Sequence, residues 1–217
     1  MIKRLTGEFL GTFSLVFCGT GAIIIDQETG GTITHAGIAL TFGMIVLAMI
    51  LAFGHVSGAH INPAVSIGLW MARRFQGRHV IPFIVVQIAG ACTASLILKE
   101  LFPKNRYLGS TLPAGSDTQS FILESILTFI LMLVILTSTD KKDHSLIGPA
   151  LAIGSTVGLE AMFAGPICGA SMNPARSIGP AIASGHFQAL WVYIAAPVEG
   201  ALAAVPLFSI VKHREES

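Results

Sequence analysis

Residues 58–66 of this chain read GAHINPAVS, and residues 169–177 read GASMNPARS. Both segments contain Asn-Pro-Ala, at Asn62 and at Asn173, each preceded by Gly-Ala and followed at the same distance by a serine. Asparagine is a preferred helix N-cap and proline is tolerated at the first helical position, so each Asn-Pro pair predicts a helix start. The apolar segments 62–75 and 173–183 are too short to cross a bilayer. We therefore expect two half-helices that begin inside a membrane.

These two segments belong to a longer internal repeat. Four motifs of the first half recur in order in the second half, and they pair Glu8 with Glu124, Gly37 with Gly148, Asn62 with Asn173, and Gly90 with Gly200. The pairing predicts one membrane domain over residues 1–217, with repeat one at about 1–103 and repeat two at about 118–217. Each repeat holds three spanning segments, an odd number, so the second repeat must enter the membrane from the opposite side.

The composition is typical of an integral membrane protein. Of its 217 residues, 53% are hydrophobic and 12% are charged, against roughly 25% charged in soluble domains. The net charge is +1 and no run of like charges occurs, so we expect no nucleic-acid partner. Six stretches are long and apolar enough to span a bilayer: 5–25, 34–53, 80–101, 121–138, 146–163 and 190–211. The predicted fold is an all-α membrane protein with six transmembrane helices and two re-entrant half-helices.

The basic residues predict how the chain is oriented. Under this topology nine lie on one side: Lys3, Arg4, Arg73, Arg74, Arg78, Lys141, Lys142, Lys212 and Arg214. Three lie on the other, namely Lys99, Lys104 and Arg106. Cytoplasmic loops carry the excess of lysine and arginine, so both termini are expected in the cytoplasm. A cell membrane, the inner or plasma membrane, is the expected location.

The half-helices carry the predicted chemistry. Non-helical backbone cannot face lipid, so residues 58–61 and 169–172 must line a wet space or be buried in protein. Inverted symmetry brings the two helix N-termini together near the midplane, where each carries about half a positive charge. Asn62 and Asn173 can cap the backbone with oxygen and turn the amide NH₂ toward the lumen. A central water would then donate away from both asparagines, which interrupts a proton wire while the molecule passes.

At these residues the chain resembles the aquaporin, or major intrinsic protein, family over essentially its whole length. Residues 163–181, FAGPICGASMNPARSIGPA, are similar to the branch of plant nodulin-like channels and their bacterial relatives. The resemblance implies a passive homotetrameric channel for water and small neutral solutes such as glycerol or metalloid hydroxides, with no enzymatic activity and no cofactor. It also implies that the pore motif consists of Asn62, Pro63, Ala64, Asn173, Pro174 and Ala175.

The resemblance further implies a selectivity filter of four side chains, Phe42, Ala161, Ala170 and Arg176. Water-selective members of the family usually place histidine at the position of Ala161. Two alanines opposite Phe42 and Arg176 leave more room and a more amphipathic wall. We therefore expect neutral solutes to pass with water, and the alternative is a strict water channel.

Other polar residues fall in the apolar segments. Glu8 and Glu124, one in each repeat, are expected to hold the backbone of the re-entrant loops rather than to relay protons. Glu160 and Glu199 receive no assigned role, and each could pair internally or face a subunit contact. His55 and His60 are expected to anchor the first loop rather than to bind a metal, because the set of cysteines or carboxylates that a metal site needs does not accompany them.

Three other functions remain open at this point. Inverted repeats and broken helices also build secondary transporters, in which Glu8, Glu124 and Glu160 could bind protons. Residues 54–58, GHVSG, superficially suggest an intramembrane serine protease, but the last spanning segment carries no histidine to activate the serine. A purely structural junction protein on the same fold is the third alternative.

Overall fold

A computed structural model describes residues 1–140 and 145–211. In chain order its α-helices are α1 (Ile2–Glu28), α2 (Thr34–Ser57), α3 (Pro63–Met71), α4 (Val80–Leu101), α5 (Asp117–Ser138), α6 (Ile147–Cys168), α7 (Pro174–Ser184) and α8 (Val192–Val211). A short 3-10 helix, Gly77–His79, precedes α4, and no strand occurs in the described residues. Six of the helices are long and apolar enough to cross a membrane, whereas α3 and α7 are the two half-helices. The predicted all-α class is confirmed.

The helix boundaries differ from the prediction in instructive ways. Helix α2 continues to Ser57, because its cap, Gly58, adopts the left-handed conformation that ends many helices. Helix α5 begins earlier than expected, since the Ser116 side chain caps it by accepting from the backbone N–H of Gln119. The prediction that the first half-helix reaches residue 75 is wrong. It ends at Met71, and Arg73 has a positive φ of 60° that no helix can continue.

Glycines let the helices pack closely, and they do so in pairs related by the repeat. A Cβ atom on Gly43 would lie 2.7 Å from the carbonyl oxygen of Gly154, and one on Gly154 would lie 2.7 Å from that of Gly43. A Cβ on Gly90 would collide with the backbone of α1, and a Cβ on Gly200 would collide with the backbone of α5. The same close approach therefore joins α1 to α4 and α5 to α8, as an inverted repeat requires.

The bundle is apolar outside and polar at selected places inside. Large hydrophobic side chains such as Leu40, Met44 and Ile81 are exposed on the outer surface, while Glu8 and Glu124 are fully buried. A soluble protein rarely exposes apolar side chains so widely, but lipid-facing helices require them. The chain is therefore a multi-pass membrane protein.

An even number of spans returns the chain to its starting side. We call this side, where α1 begins and α8 ends, the N-terminal face. Of the nine basic residues predicted on this face, Lys141, Lys142, Lys212 and Arg214 lie outside the described residues. The membrane and the direction of insertion remain predictions.

Candidate functional site

The two half-helices start at asparagine caps. The Oδ1 atom of Asn62 accepts a hydrogen bond from the backbone N–H of Ala64 at 2.9 Å. The Oδ1 atom of Asn173 accepts from Ala175 at 3.0 Å and more weakly from Arg176 at 3.4 Å. Both helices have proline at their first position, where a missing N–H costs nothing. Each half-helix thus begins where the sequence predicts.

The same asparagines tie the two repeats to each other. The amide nitrogen of Asn62 donates to the carbonyl of Met172 at 2.8 Å, and that of Asn173 donates to the carbonyl of Ile61 at 2.9 Å. This reciprocal bond was not predicted from the sequence. An asparagine amide carries two N–H donors, so each side chain keeps one donor after the crossing bond. Both asparagines also line the central cavity described below.

The loops before the half-helices have unusual backbone conformations. Positive φ angles occur at Ala59 (47°), Ile61 (43°), Ala170 (42°) and Met172 (53°). L-residues adopt this region at a cost of roughly 1–3 kcal/mol each, so the surrounding structure must hold them there. The two loops share the pattern at equivalent positions, and the holding groups are two buried carboxylates.

Glu8 holds the first loop through four donors. Its carboxylate accepts from the backbone N–H groups of His60 at 2.9 Å and Ile61 at 2.7 Å. It also accepts from the hydroxyl of Ser57 at 2.7 Å and the amide of Gln87 at 2.8 Å. Every strong interaction of this carboxylate is with the loop or with a residue that braces it.

Glu124 holds the second loop in the same way but with fewer partners. Its carboxylate accepts from the backbone N–H groups of Ser171 and Met172, both at 2.7 Å. The positions equivalent to Ser57 and Gln87 are Cys168 and Pro197 in this repeat. A thiol is a weak donor and proline offers none, so the two carboxylates are not equally satisfied.

His60 anchors the first loop from its other side. Its Nδ1 atom lies 3.0 Å from the hydroxyl of Ser66, which also accepts from Gln87 at 3.0 Å. The His60 ring packs against the rings of Phe75 and Phe83. Among the described residues, no group of three or more His, Cys, Asp or Glu side chains could hold a metal ion.

A cavity of about 360 Å³ runs through the bundle past both asparagines. Arg74, Thr139 and Leu146 line it toward the N-terminal face, and Phe42 and Arg176 line its opposite end. Much of the remaining wall is apolar, with side chains that include Leu15, Val46, Ile50, Leu131, Ile153 and Val157. A molecule inside meets polar groups at the two ends of the cavity, at the asparagines and at the loops, and mostly hydrocarbon elsewhere.

Arg176 closes one end of this cavity. Its side chain is 2% exposed, and its guanidinium carbon lies 5.0 Å from the centre of the Phe42 ring, a cation–π distance. One guanidinium nitrogen, Nη1, donates to the carbonyl of Gly109 at 2.7 Å. Ala170 lines the cavity beside them. Ala161 is buried on α6 but is not among the residues that line this cavity, so the structure brings three of the four predicted filter residues to it.

The connection between α4 and α5 contributes contacts that sequence reasoning missed. Besides Gly109, it supplies Thr111, whose hydroxyl donates to Ser177 at 2.8 Å, and Ala114, whose N–H donates to Ile167 at 3.0 Å. The segment therefore folds back over the second half-helix. In the sequence, this fold-back was indicated only by a glycine in the connecting stretch. This residue, Gly109, adopts a positive φ of 69°.

The two glutamates without a predicted role differ in the structure. The carboxylate of Glu199, on the exposed side of α8, accepts a hydrogen bond from Ser125 of α5 at 2.7 Å. Glu160 is buried in α6, and neither of its oxygens has a hydrogen-bond partner among the described residues. Glu199 thus pairs internally, whereas Glu160 still requires an explanation.

Comparisons with known proteins agree with this architecture. The family described as major intrinsic protein matches residues 1–208. The chain is 44% identical to Aquaporin NIP1-1 of Oryza sativa subsp. japonica, over 97% of this chain and 75% of that protein. It is 38% identical to Nodulin-26 of Glycine max, over 99% of this chain and 80% of that protein.

A solved structure is similar as well. The aquaglyceroporin from Plasmodium falciparum superposes with a TM-score of 0.89 and 28% sequence identity, covering 97% of this chain and 96% of that one. The expected likeness to nodulin-like channels is confirmed. From its repeat, its paired half-helices and these similarities, the chain belongs to the major intrinsic protein family.

Proposed function

We propose that this chain is a passive transmembrane channel for water and small neutral solutes. One observation carries the proposal: two half-helix N-termini, capped by Asn62 and Asn173, meet in a cavity whose remaining wall is mostly apolar. Because few polar groups line the path, a solute binds weakly to its wall and leaves as readily as it enters. We assign no enzymatic reaction to the chain.

The exclusion of protons and cations follows from the same geometry. Each half-helix directs about half a positive charge at the centre of the cavity. Each asparagine keeps one N–H donor after its bond to the opposite loop, so a water between them accepts from both. Such a water points its own hydrogens away from the asparagines, and a continuous chain of proton transfer is interrupted there.

The proposed filter consists of Phe42, Ala161, Ala170 and Arg176. Support comes from the contact between Phe42 and Arg176 at the end of the cavity, with the small side chain of Ala170 beside it. A neutral hydroxylated solute sheds part of its hydration shell here, so it needs donors on one wall and an apolar surface on the other. Arg176 would supply the donors, Phe42 the apolar surface and the alanines the room.

The same proposal covers the supporting residues and the assembly. Glu8 and Glu124 hold the loops that carry the pore motif of Asn62, Pro63, Ala64, Asn173, Pro174 and Ala175. We further propose two repeats, about 1–103 and 118–217, in a single domain. Membership in the family supports a homotetramer with one pore per subunit. The excess of basic residues on the N-terminal face supports cytoplasmic termini in an inner or plasma membrane.

A proton-coupled transporter is the rival function. It would need an intramembrane carboxylate free to bind and release protons. Glu8 accepts four hydrogen bonds and Glu124 accepts two from strained backbone, so neither carboxylate can change its charge without loosening a loop. Glu160, the third candidate, does not line the cavity. These observations favour the channel over the transporter.

Stopped-flow light scattering on proteoliposomes tests the proposal. Vesicles that contain the purified protein are shifted into hyperosmotic solutions of sucrose, glycerol, urea or boric acid. We expect fast water efflux with every osmolyte, followed by reswelling with at least one small neutral solute. Shrinkage without reswelling in all cases would favour the strict water channel. Water efflux no faster than in empty vesicles would contradict the channel itself.

A further inference from the structure

One carbonyl group of α6 has no donor within its own helix. The carbonyl oxygen of Met162 would ordinarily accept from the backbone N–H four residues later, but that residue is Pro166, which has no N–H. An unpaired carbonyl in a membrane-spanning helix is costly unless another donor reaches it. This carbonyl lies one residue after Ala161, the α6 residue of the proposed filter. Its partner therefore bears on the geometry of the pore.

A histidine from the neighbouring helix supplies the missing donor. The Nε2 atom of His35, in the first turn of α2, lies 2.6 Å from the carbonyl oxygen of Met162. Because a carbonyl oxygen can only accept, the histidine must carry a hydrogen on Nε2 and donate it. The ring also packs on the backbone of Gly165, where a Cβ atom would lie 2.8 Å from Cε1 of His35. His35 thus makes the hydrogen bond that Pro166 removes from the helix.

The other repeat contains neither the histidine nor the proline at these places. In the internal repeat, His35 corresponds to Leu146, and Pro166 corresponds to His55. Leu146 packs on Gly54, where a Cβ atom would lie 2.6 Å from Cδ1 of the leucine. Residue 55 has a backbone N–H, so the helix there needs no outside donor. The donor and the proline therefore occur together in one repeat, and both are absent from the other.

We propose that His35 is a positioning residue for the filter, which fastens the end of α6 that carries Ala161 to the helix that carries Phe42. His35 and Phe42 are seven residues apart on α2, about two helical turns, so they lie on the same side of that helix. The proposal rests on the proposed filter, in which these two helices contribute opposite walls. His35 itself would not touch the permeating molecule.

The position of this contact explains why it matters. Nearer the middle of the pair, α2 and α6 approach through glycines, and a Cβ on Gly158 would lie 3.5 Å from the carbonyl oxygen of Ala39. His35 contacts α6 beyond this point, at Met162 and Gly165, and Ala161 lies between the two contacts in the sequence. Without the hydrogen bond, the last turns of α6 are held to α2 by packing alone. We expect the distance between the two helices to vary more at the filter.

Hydrogen exchange measured by mass spectrometry on the protein in nanodiscs tests the hydrogen bond. His35→Leu installs the residue of the other repeat and removes the donor, whereas His35→Gln keeps an N–H donor close to the place of Nε2. We expect amide exchange in residues 163–168 to rise about fivefold in the leucine variant, the effect of one lost hydrogen bond, and to stay within about twofold of the wild type in the glutamine variant. Residues 52–57, the matching end of α2, contain no proline and serve as the control whose exchange should not change.

Restoring an N–H inside α6 separates the hydrogen bond from the packing of the ring. Pro166→Ala gives the carbonyl of Met162 a donor in its own helix, so in that background His35→Leu should change exchange in residues 163–168 by less than about twofold. Equal increases in both backgrounds would overturn the proposal, as would equal exchange in His35→Leu and wild type. If His35→Leu does not fold with Pro166 in place, folding of the double variant supports the proposal and its failure contradicts it.

Solute flux through the same variants in proteoliposomes tests whether the bond positions the filter. A looser contact between α2 and α6 populates wider conformations, so the ratio of glycerol to water permeability should rise about twofold or more in His35→Leu. The ratio should stay near the wild-type value in His35→Gln and in the double variant. An unchanged ratio beside increased exchange would make the histidine purely structural and contradict the positioning role. Water flux in the wild type no faster than in empty vesicles would contradict the proposed function and the filter with it, whereas the exchange rates would still decide the bond to Met162.

Discussion

The side chain of Arg176 is held in place by its contacts, but its positive charge is not neutralised by an ion pair in the described structure. One nitrogen is held by the carbonyl of Gly109, the guanidinium faces the ring of Phe42, and Nε has no partner among the described residues. A guanidinium has five N–H donors, so donors remain for a permeating solute. No carboxylate forms an ion pair with it in the described structure, and its positive charge is left to act on whatever enters.

Replacing Arg176 with valine should open the channel to ions. The change removes the charge and the donors from the end of the cavity that Phe42 and Arg176 line, and each ~1.4 kcal/mol taken from the electrostatic barrier raises the leak about tenfold. Cation and proton flux into proteoliposomes, followed with fluorescent indicators, should therefore increase while water flux persists. Arg74→Val is the matched control, because Arg74 lies at the other end of the cavity and is paired with Asp140. Unchanged ion exclusion in Arg176→Val would remove this residue from the proposed filter.

Ala161 offers the complementary test of solute size. Ala161 does not line the cavity, but under the proposed filter assignment an imidazole at this position on α6 would reach toward Phe42 and Arg176. Ala161→His should therefore narrow the passage and lower glycerol flux by about tenfold or more, with a smaller loss of water flux. The measured quantity is the ratio of glycerol to water permeability at equal protein density. Ala161→Ser, which adds polarity but little volume, should keep the wild-type ratio, and an unchanged ratio in the histidine variant would contradict the filter assignment.

At the scale of the helices, local sequence explains the starts better than the ends. Asn62 and Asn173 with their prolines fix where α3 and α7 begin, because cap and proline preferences act within a few residues. The end of α3 at Met71 was placed too late by the sequence, although the apolar run stops at Ala72 and two arginines follow it. The positive φ of Arg73, which ends the helical path, is not encoded in hydropathy. Composition records which residues prefer lipid, and it does not record where the backbone turns.

The contact between α2 and α6 depends on the absence of side chains. A Cβ on Gly43 would approach the carbonyl oxygen of Gly154 to 2.7 Å and the Cα of Gly158 to 3.0 Å, so Gly43→Val must push the helices apart. We expect a loss of about 1–3 kcal/mol, the usual cost of overpacking, visible as a lower unfolding temperature in detergent. A Cβ on Gly148, in the same helix pair, would have no neighbouring atom within 4 Å, and Gly148→Ala should leave stability unchanged or raise it. Equal unfolding temperatures of the Gly43→Val and Gly148→Ala variants would show that α2 and α6 are not tightly packed at Gly43.

For the whole molecule, the repeat made most of the architecture predictable. Glu8 and Glu124 occupy matching places, and the asparagines meet as inverted symmetry requires. What could not be predicted lies where the symmetry fails or where distant segments meet. Gly109 reaches Arg176 across 67 positions of sequence, and no local pattern encodes that contact. The differences around Glu124 are visible in the sequence, but their meaning depends on knowing which side chains surround Glu8.

Among the described residues, no carboxylate lines the cavity that passes both asparagines. Glu8 and Glu124 are committed to the loops, and Glu160 does not line the cavity. Permeation should therefore need no driving reaction. We expect water flux with a low activation energy, because few strong bonds are broken along an apolar wall, and with no dependence on an imposed pH gradient. The measurement is stopped-flow scattering over a range of temperatures, with and without a pH step across the vesicle membrane, and empty vesicles as the control. Accumulation of a solute against its own gradient when the pH step is applied would show proton coupling, and the chain would then have to be a transporter on the same fold.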